Sequence, residues 1–382
     1  MRIEINKSNW TPRKLGEVVT KIEENDKENA RNRFDRFLKV EHIDAESLHI
    51  KRWASQETGD ELNPYFYKIF RKGQILFPTR NPHLRRTVFA TFDGICGEKT
   101  LTLEPIQKLV IPEFIPFLFH SETFYAHSTG AIIGSTNPHV RWRDVAKYEF
   151  LLPPKDQQAK LADLLWAIDE VIEREKEVYE KFEKSLLCLL KNTYCKISKR
   201  EELINLCIKP PKYGANSPAI EFDNKIRYIR ITDIGSFGNL NNDKVSAHEH
   251  DDNYLLKYGD FLMARSADPG RSYFYKNSDG KCTHAGYLIK FSLNLDKILP
   301  EFLYFFTQTK EFKLWIKQTT RTGTLSNINS KEFSRLKVPV INIDEQRRII
   351  VEINHFYKIY REVGNKIACS QALFKSIINQ IF

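Results

Sequence analysis

Thr79-Arg80-Asn81-Pro82-His83-Leu84-Arg85-Arg86 and Arg265-Ser266-Ala267-Asp268-Pro269-Gly270-Arg271-Ser272 each set arginines into a loop bent by proline. Side chains of this kind suit a base-paired polyanion. An arginine fork bonds both acceptors on the major-groove edge of guanine, and an asparagine amide matches the acceptor and donor of adenine. Arg80, Arg85, Arg86, Arg265 and Arg271 are therefore candidates for guanine or phosphate, and Asn81 is a candidate for adenine. A second group comprises Lys51 and Arg52, next to Trp53, with Lys212, Tyr213 and Asn216 in the loop Lys209–Ser217. A third sets Ser135, Asn137, His139 and Arg141 against Thr322, Thr324, Ser326 and Asn327, polar residues just ahead of an apolar run in each half. Cations for phosphates and paired donors for base edges, carried on loops, are what sequence-specific duplex binding needs.

Other chemistries find little support. Cysteines at 96, 188, 195, 207, 282 and 369 show neither a C-x-x-C pair nor a matching histidine pair, so no metal site is expected. They read as buried free thiols of a reducing compartment. The histidines are scattered, and His248-Glu249-His250 reads as a solvated loop, so no catalytic residue is inferred. Asn63-Pro64-Tyr65-Phe66 is similar to the Asn-Pro-Pro-Phe signature with which adenine methyltransferases grip an extruded base. The second proline is missing and no Phe-x-Gly-x-Gly cofactor loop precedes it, so a turn with apolar anchors is the expectation. Asp279-Gly280-Lys281 reads as a hairpin turn rather than part of a nuclease carboxylate site.

The chain of 382 residues carries 59 Lys and Arg against 49 Asp and Glu, a formal charge of +10. The excess is spread along the chain, which disfavours binding through a disordered basic tail and suits folded domains with one positive face each. With 41% hydrophobic residues, folding is expected throughout. No apolar run reaches the roughly 18–20 residues of a membrane span, and the first residues are polar, so the expected location is cytoplasmic, with no membrane partner.

An internal repeat organises these segments. Displacing the sequence by 188 positions lays Lys14-Leu15 on Glu202-Leu203, Pro112-Glu113-Phe114 on Pro300-Glu301-Phe302, and Asp156-Gln157-Gln158 on Asp344-Glu345-Gln346. With small gaps, Gly73-Gln74-Ile75-Leu76 matches Gly259-Asp260-Phe261-Leu262, and Cys96 matches Cys282. Each copy opens with a mixed α/β stretch. Phe37–Ile43, Gly73–Pro78, Tyr228–Ile234 and Tyr287–Phe291 read as strands, and 112–125 and 300–317 as amphipathic helices.

Each copy closes with a long helix. Asp156, after Pro153-Pro154, and Asp344 suit the first turn, where a carboxylate accepts free amides. Leu161, Leu165, Ile168, Ile172, Tyr179, Phe182, Leu186 and Leu189 step by four and three, as do Ile349, Ile353, Phe356, Tyr360, Val363, Ile367, Phe374, Ile377 and Ile381. Such steps make a coiled-coil seam. Glu170, Glu173, Glu177 and Glu180 beside Lys176, Lys181 and Lys184 read mostly as a solvated face. The expected organisation is a domain over 1–154, a spacer helix over 155–200, a second domain over 201–343 and a second spacer helix over 344–382.

This arrangement resembles the specificity subunit of Type I restriction-modification systems over essentially the whole chain. Leu151-Leu152-Pro153-Pro154-Lys155-Asp156-Gln157-Gln158 is similar to the Leu-Pro-Pro-x-x-x-Gln start of that family's first spacer helix, and Val338-Pro339 with Asp344-Glu345-Gln346 is a looser second version. Tyr228-Ile229-Arg230-Ile231-Thr232-Asp233-Ile234 and Gly259-Asp260-Phe261-Leu262 resemble strand motifs of its recognition domain. The resemblance implies two mixed α/β target-recognition domains, each reading half of a split double-stranded DNA target. It implies as well that the helices pack as an antiparallel coiled coil that sets the gap. It further implies two modification subunits with S-adenosylmethionine to methylate adenine, and restriction subunits that use ATP and Mg. None of these cofactors is expected on this chain, which is read as non-catalytic. Two alternatives stay open: a coiled-coil scaffold without DNA specificity, and the recognition part of an undetected methyltransferase.

Overall fold

The computed structural model describes residues 5–235, 238–320 and 327–382. The chain divides into two compact units, Met1–Lys176 with Asn365–Phe382, and Glu177–Gly364. In the first, one antiparallel sheet runs in the order Val19–Ile22, Thr100–Pro105, Ile75–Pro78, Val88–Phe89. A second sheet runs Ala54–Ser55, Arg36–Leu38, Gly94–Cys96, Lys68–Phe70, with its central pair parallel. Thr11–Lys14 pairs with Glu149–Leu152, three residues before the helix Lys155–Cys195 begins. Ile75-Leu76-Phe77 is buried at every position, which is why the strand reads as an apolar run rather than an alternation.

The second unit repeats this register. Lys212–Tyr213, Leu288–Ser292, Asp260–Ala264 and Ser272–Phe274 form an antiparallel sheet, and Arg227–Ile229 runs parallel to Cys282–His284. Leu76 faces Thr102 as Leu262 faces Lys290, and Leu38 faces Cys96 as Ile229 faces His284, so the counterpart of Cys96 in the fold is His284 and not the Cys282 expected from the sequence. Arg200–Glu202 pairs with Lys337–Pro339 before the second long helix, Ile343–Ile381.

Several local expectations are revised. The strands at Phe37 and Tyr228 stop after three residues and turn into 3-10 helices, Val40–His42 and Ile231–Asp233. The cause is local: His42 Nδ1 lies 3.3 Å from the Lys39 amide, and Asp233 Oδ2 accepts the Arg230 amide at 2.7 Å. The helices expected over 112–125 and 300–317 are each broken in two. Ile115–His120 and Glu122–Gly130 meet at Ser121, and Pro300–Thr307 and Lys310–Thr319 are divided around Thr309. Ser121 Oγ accepts the Phe124 amide and Thr309 Oγ1 the Phe312 amide, each at 3.2 Å, so each hydroxyl caps a fresh helix. At the second long helix the cap is Asn342, whose Oδ1 accepts the Glu345 amide at 2.9 Å, while Asp344 pairs with Arg347 inside the first turn. The cysteines are all free, but only Cys96 and Cys282 are buried; Cys188, Cys195 and Cys369 are exposed on the long helices, off the seam. Among the described residues no helix is long and apolar enough to cross a membrane.

Two buried glutamines join each domain to the start of its long helix. Gln158 Oε1 accepts the Ile111 amide at 2.8 Å, and its Nε2 donates to the carbonyls of Leu109 and Pro153 at 3.2 and 2.8 Å. Gln346, 188 positions on, accepts the Leu299 amide at 2.8 Å and donates to Lys297 and Ile341, both at 2.9 Å. Each amide saturates three backbone groups that would otherwise be buried unpaired, and this gives the Pro-x-x-x-Gln pattern its physical meaning.

The two long helices pack together. In the first unit Ile377, Ile378 and Ile381 share a core with Leu165, Phe114, Phe117 and Phe124, and Lys366 Nζ lies 3.2 Å from Glu175. In the second, Leu186, Leu190 and Tyr194 share a core with Ile353, Tyr357, Phe302 and Phe333. Tyr179 stacks on Tyr360 at 4.2 Å, and a Cβ on Gly364 would lie 3.1 Å from the Tyr179 ring, so glycine there permits the close approach. In each unit numbers rise along one helix as they fall along the other, so the pair is antiparallel.

Replacing Gln158 or Gln346 by leucine is expected to lower stability by about 2–4 kcal/mol, since the lost amide leaves buried backbone groups unsatisfied. Urea unfolding of each variant measures this, and a loss below about 0.5 kcal/mol would show that the clamp is dispensable.

Candidate nucleic-acid interface

The same three-segment platform occurs in both units. In the first, Thr79–Asn81 is held between the turn at Lys99 and the segment 137–140. The Thr79 amide donates to Lys99 O at 2.8 Å, the Val140 amide to Thr79 O at 3.0 Å, and the Asn81 amide to Pro138 O at 3.0 Å; Arg80 and His139 form a bridge. In the second, the Arg265 amide donates to Tyr287 O at 2.9 Å, the Ile328 amide to Arg265 O at 2.9 Å, and Ser266 bridges Asn327. These positions correspond one to one across the repeat.

Backbone strain marks the same place twice. Asn81 has φ +51° and Ala267 φ +62°, both in the left-handed region. Asparagine tolerates it, whereas alanine holds it at a cost of order 1 kcal/mol. The surrounding bonds, including Asp268 N–H to Ser266 O at 2.8 Å and Gly270 N–H to Ala264 O at 2.9 Å, fix the turn. Its outward side chains are thereby presented on a rigid frame.

On the first platform Arg80, Asn81, Lys99, Asn137 and Arg141 are exposed and His139 is half-buried, its Nδ1 2.9 Å from Asn137 O. On the second, Arg265 Nε donates to Asn327 Oδ1 at 3.1 Å and its guanidinium lies 5.1 Å from the Tyr213 ring. Tyr213 Oη accepts the Ser330 amide at 3.1 Å, so the ring is anchored. Lys212 Nζ donates to Asn253 O at 3.2 Å and sits 4.7 Å from the Tyr254 ring, and Asn216 is exposed. The loop 212–216 lies so close to the strand behind it that a Cβ on Gly214 would come within 2.2 Å of His284 O. Thr322, with Thr324 and Ser326, lies outside the described residues.

Lys99 and Tyr287 are exposed at the edge of the two platforms and were not among the residues singled out from the sequence. The available signal was the 188-position displacement, which lays Lys99 on Tyr287.

Five candidate cations lie elsewhere. Arg85 gives both guanidinium nitrogens to Glu122, at 2.5 and 2.6 Å, and one of them to Glu46 at 2.9 Å. These carboxylates raise its pKa further, and Arg85 with Lys375 holds Glu122 down at about 2. Arg86 donates to Val40 O at 3.2 Å. Arg52 pairs with Asp44 and donates to Glu41 O, and Lys51 pairs with Glu173 on the first long helix. Arg271 lies 3.8 Å from Asp268 and lines a cleft beside Lys313, Lys317, Tyr357 and Tyr360.

Lys51 belongs to a charged cluster that sequence separation concealed. His49 Nε2 lies 2.5 Å from Asp169 Oδ2, and Glu173, one helical turn on, accepts from Lys176 at 2.8 Å as well as from Lys51. His49, Asp169 and Glu173 could in principle ligate a cation, but the two lysines already neutralise Glu173. The hydrogen bond to Asp169 raises the His49 pKa, in opposition to burial. Elsewhere burial drives His120 and His284 down to about 4, so both stay neutral, with ring nitrogens 3.0 Å from Thr87 O and 3.3 Å from Tyr254 O.

Comparison with known proteins agrees with this duplication. The family model described as Type I restriction modification DNA specificity domain matches residues 7–184 and 195–367. The chain is 23% identical over 330 residues to the Type I restriction enzyme EcoBI specificity subunit of Escherichia coli, covering 75% of this chain and 69% of that relative. It is 26% identical over 213 residues to the MjaIX specificity subunit of Methanocaldococcus jannaschii, covering 49% and 48%. The fold matches the S subunit of the Type I restriction-modification system of M. genitalium with TM-score 0.59 at 15% identity, over 100% of this chain and 98% of that one. A chain solved in work on complex assembly and conformational transition of the type I R-M system matches with TM-score 0.60 at 19% identity, over 98% and 97%.

A group whose folded pKa is raised stabilises below its unfolded value and loses that contribution as pH rises through the folded one. His49→Gln should therefore be less stable than the parent near pH 6, by up to about 1 kcal/mol, with the difference shrinking towards pH 9. Urea midpoints at both values decide it; a difference that grows on the alkaline side contradicts the His49–Asp169 pair as drawn.

Proposed function

The chain belongs to the Type I restriction modification DNA specificity family, and we propose that its two platforms each read one half of a bipartite double-stranded DNA target. The single observation that carries this is the repetition of one rigid backbone frame with different side chains. Arg80, Asn81, Lys99, His139 and Arg141 stand on the first, and Arg265, Tyr213, Tyr287 and Asn327 on the second. A shared frame suits a shared ligand, and unlike side chains suit unlike base sequences. Arg80 and Asn81 are the assigned base-edge readers of the first half-site and Arg265 that of the second. Lys99, Arg141 and Lys212 serve phosphates.

The long helices set the separation of the half-sites and dock two modification subunits. Methyl transfer to adenine from S-adenosylmethionine, and cleavage driven by ATP with Mg, belong to the modification and restriction subunits of the assembly. What supports this division is the use of the chain: two family domains and two long helices take up most of it.

The test is binding of the chain, assembled with its modification subunits, to target and random duplexes over a salt series. Affinity should fall steeply with salt on both, because cation–phosphate contacts release counterions. Arg80→Ala should weaken target binding by about 1–3 kcal/mol and relax discrimination in one half-site, and Arg265→Ala should do so in the other. Salt-independent binding, or both variants relaxing the same half, would refute two separate readers.

A further inference from the structure

The duplication lets one copy serve as the control for the other, and the two differ where the reading loop meets the long helices. In the first unit the loop's Arg85, also left-handed at φ +52°, closes a four-membered charge network. Its guanidinium is bound by Glu122 and Glu46 and lies 4.6 Å from the Tyr125 ring. Lys375, near the end of the second long helix, reaches Glu122 at 2.7 Å and Glu46 at 3.3 Å. Asn379, one turn further, accepts the Glu122 amide at 2.8 Å, and Arg85 O accepts the Glu46 amide at 2.8 Å. The terminal turns of that helix thus hold the cap of the helix Glu122–Gly130, and through it the turn bearing Arg80 and Asn81.

The second unit keeps the arginine and loses the rest. Arg271 stands where Arg85 does, but Lys310 replaces Glu122 and Leu187 replaces Lys375. Where the first cleft, lined by Glu46, His120, Asp169 and Lys375, encloses about 200 Å³, the second encloses about 650 Å³. Among the described residues the carboxylate paired with Arg271 is Asp268, three residues away at 3.8 Å.

We propose that Glu122 and Lys375 are positioning residues for the first half-site: through Arg85 they fix the Arg80–Asn81 turn to the end of the second long helix. Their worth lies in orientation, since ion pairs as exposed as these contribute little stability. A displacement of that helix end, such as a docking subunit would cause, therefore moves the first reader and leaves the second unlatched. This rests on the half-site reading proposed above.

The experiment compares the assembled parent chain with Lys375→Met, Glu122→Gln and Lys375→Arg. Binding is measured to the target duplex and to duplexes with single base changes in one half. Lys375→Met and Glu122→Gln should reduce discrimination in the first half by roughly three- to thirty-fold. The second half should stay within about two-fold, the salt dependence should not change because neither residue meets a phosphate, and Lys375→Arg should retain parental discrimination. Hydrogen exchange gives a readout independent of binding: in Lys375→Met the Leu84 and Arg85 amides should lose protection while the Gly270 and Arg271 amides keep theirs. Equal loss in both halves, an altered salt slope, or unchanged discrimination and exchange overturns the proposal. A parent assembly that discriminates in neither half overturns the half-site reading, and the positioning role with it.

Discussion

The first recognition domain buries its core against the far end of the second long helix, and the second against the end of the long helix that leads into it. The Phe117 ring meets Trp166 at 5.0 Å and Phe374 at 5.9 Å, and Phe382 closes the cluster 5.1 Å from Phe114. In the other unit Tyr194 packs on Phe302 at 4.9 Å and donates to its carbonyl at 2.7 Å. Burying an isoleucine such as Ile377 or Ile381 is worth roughly 1.5–3 kcal/mol. A few such residues from the helix end therefore match much of the net stability of a domain. The buried glutamines then fix where each helix leaves its own domain. Apolar burial at one end and a saturated amide at the other leave little freedom in how a domain sits on its helices.

That constraint explains why the loops can carry strain and charge. A turn with left-handed Asn81 or Ala267 is costly in isolation and affordable on a frame whose backbone bonds are already fixed. Duplication kept the frame, register by register, and left the outward side chains free to differ. It also let the joints diverge, an ion-pair network at Arg85 against an open cleft at Arg271. Two readers built alike are thus mounted unlike.

The repeat, the seams and the mixed α/β character were legible because they rest on periodicity, which survives in a bare sequence. Arg80, Asn81, Arg265 and Asn327 could be singled out as candidates by residue type, and the structure sets them on corresponding loops of the two units. The pairing of Arg85, Arg86 and Lys51 was not legible, since Glu122, Val40 and Glu173 are far from them in sequence and nothing local marks them as partners. The broken helices at Ser121 and Thr309 were hidden for a related reason: apolar spacing continues across the break, and only the hydroxyl cap reveals it. Gln158 and Gln346 stood out as part of a pattern, but their bonds to Ile111 and Leu299 needed the fold.

The most direct test of this account is hydrogen exchange on the full chain carrying Ile378→Asp, a charge placed in the first unit's core from the far end of the second long helix. If that helix end completes the first domain, protection should fall around Phe117 and Phe124 and hold around Phe302 and Phe333. Unchanged protection in the first domain, or equal loss in both, would contradict it.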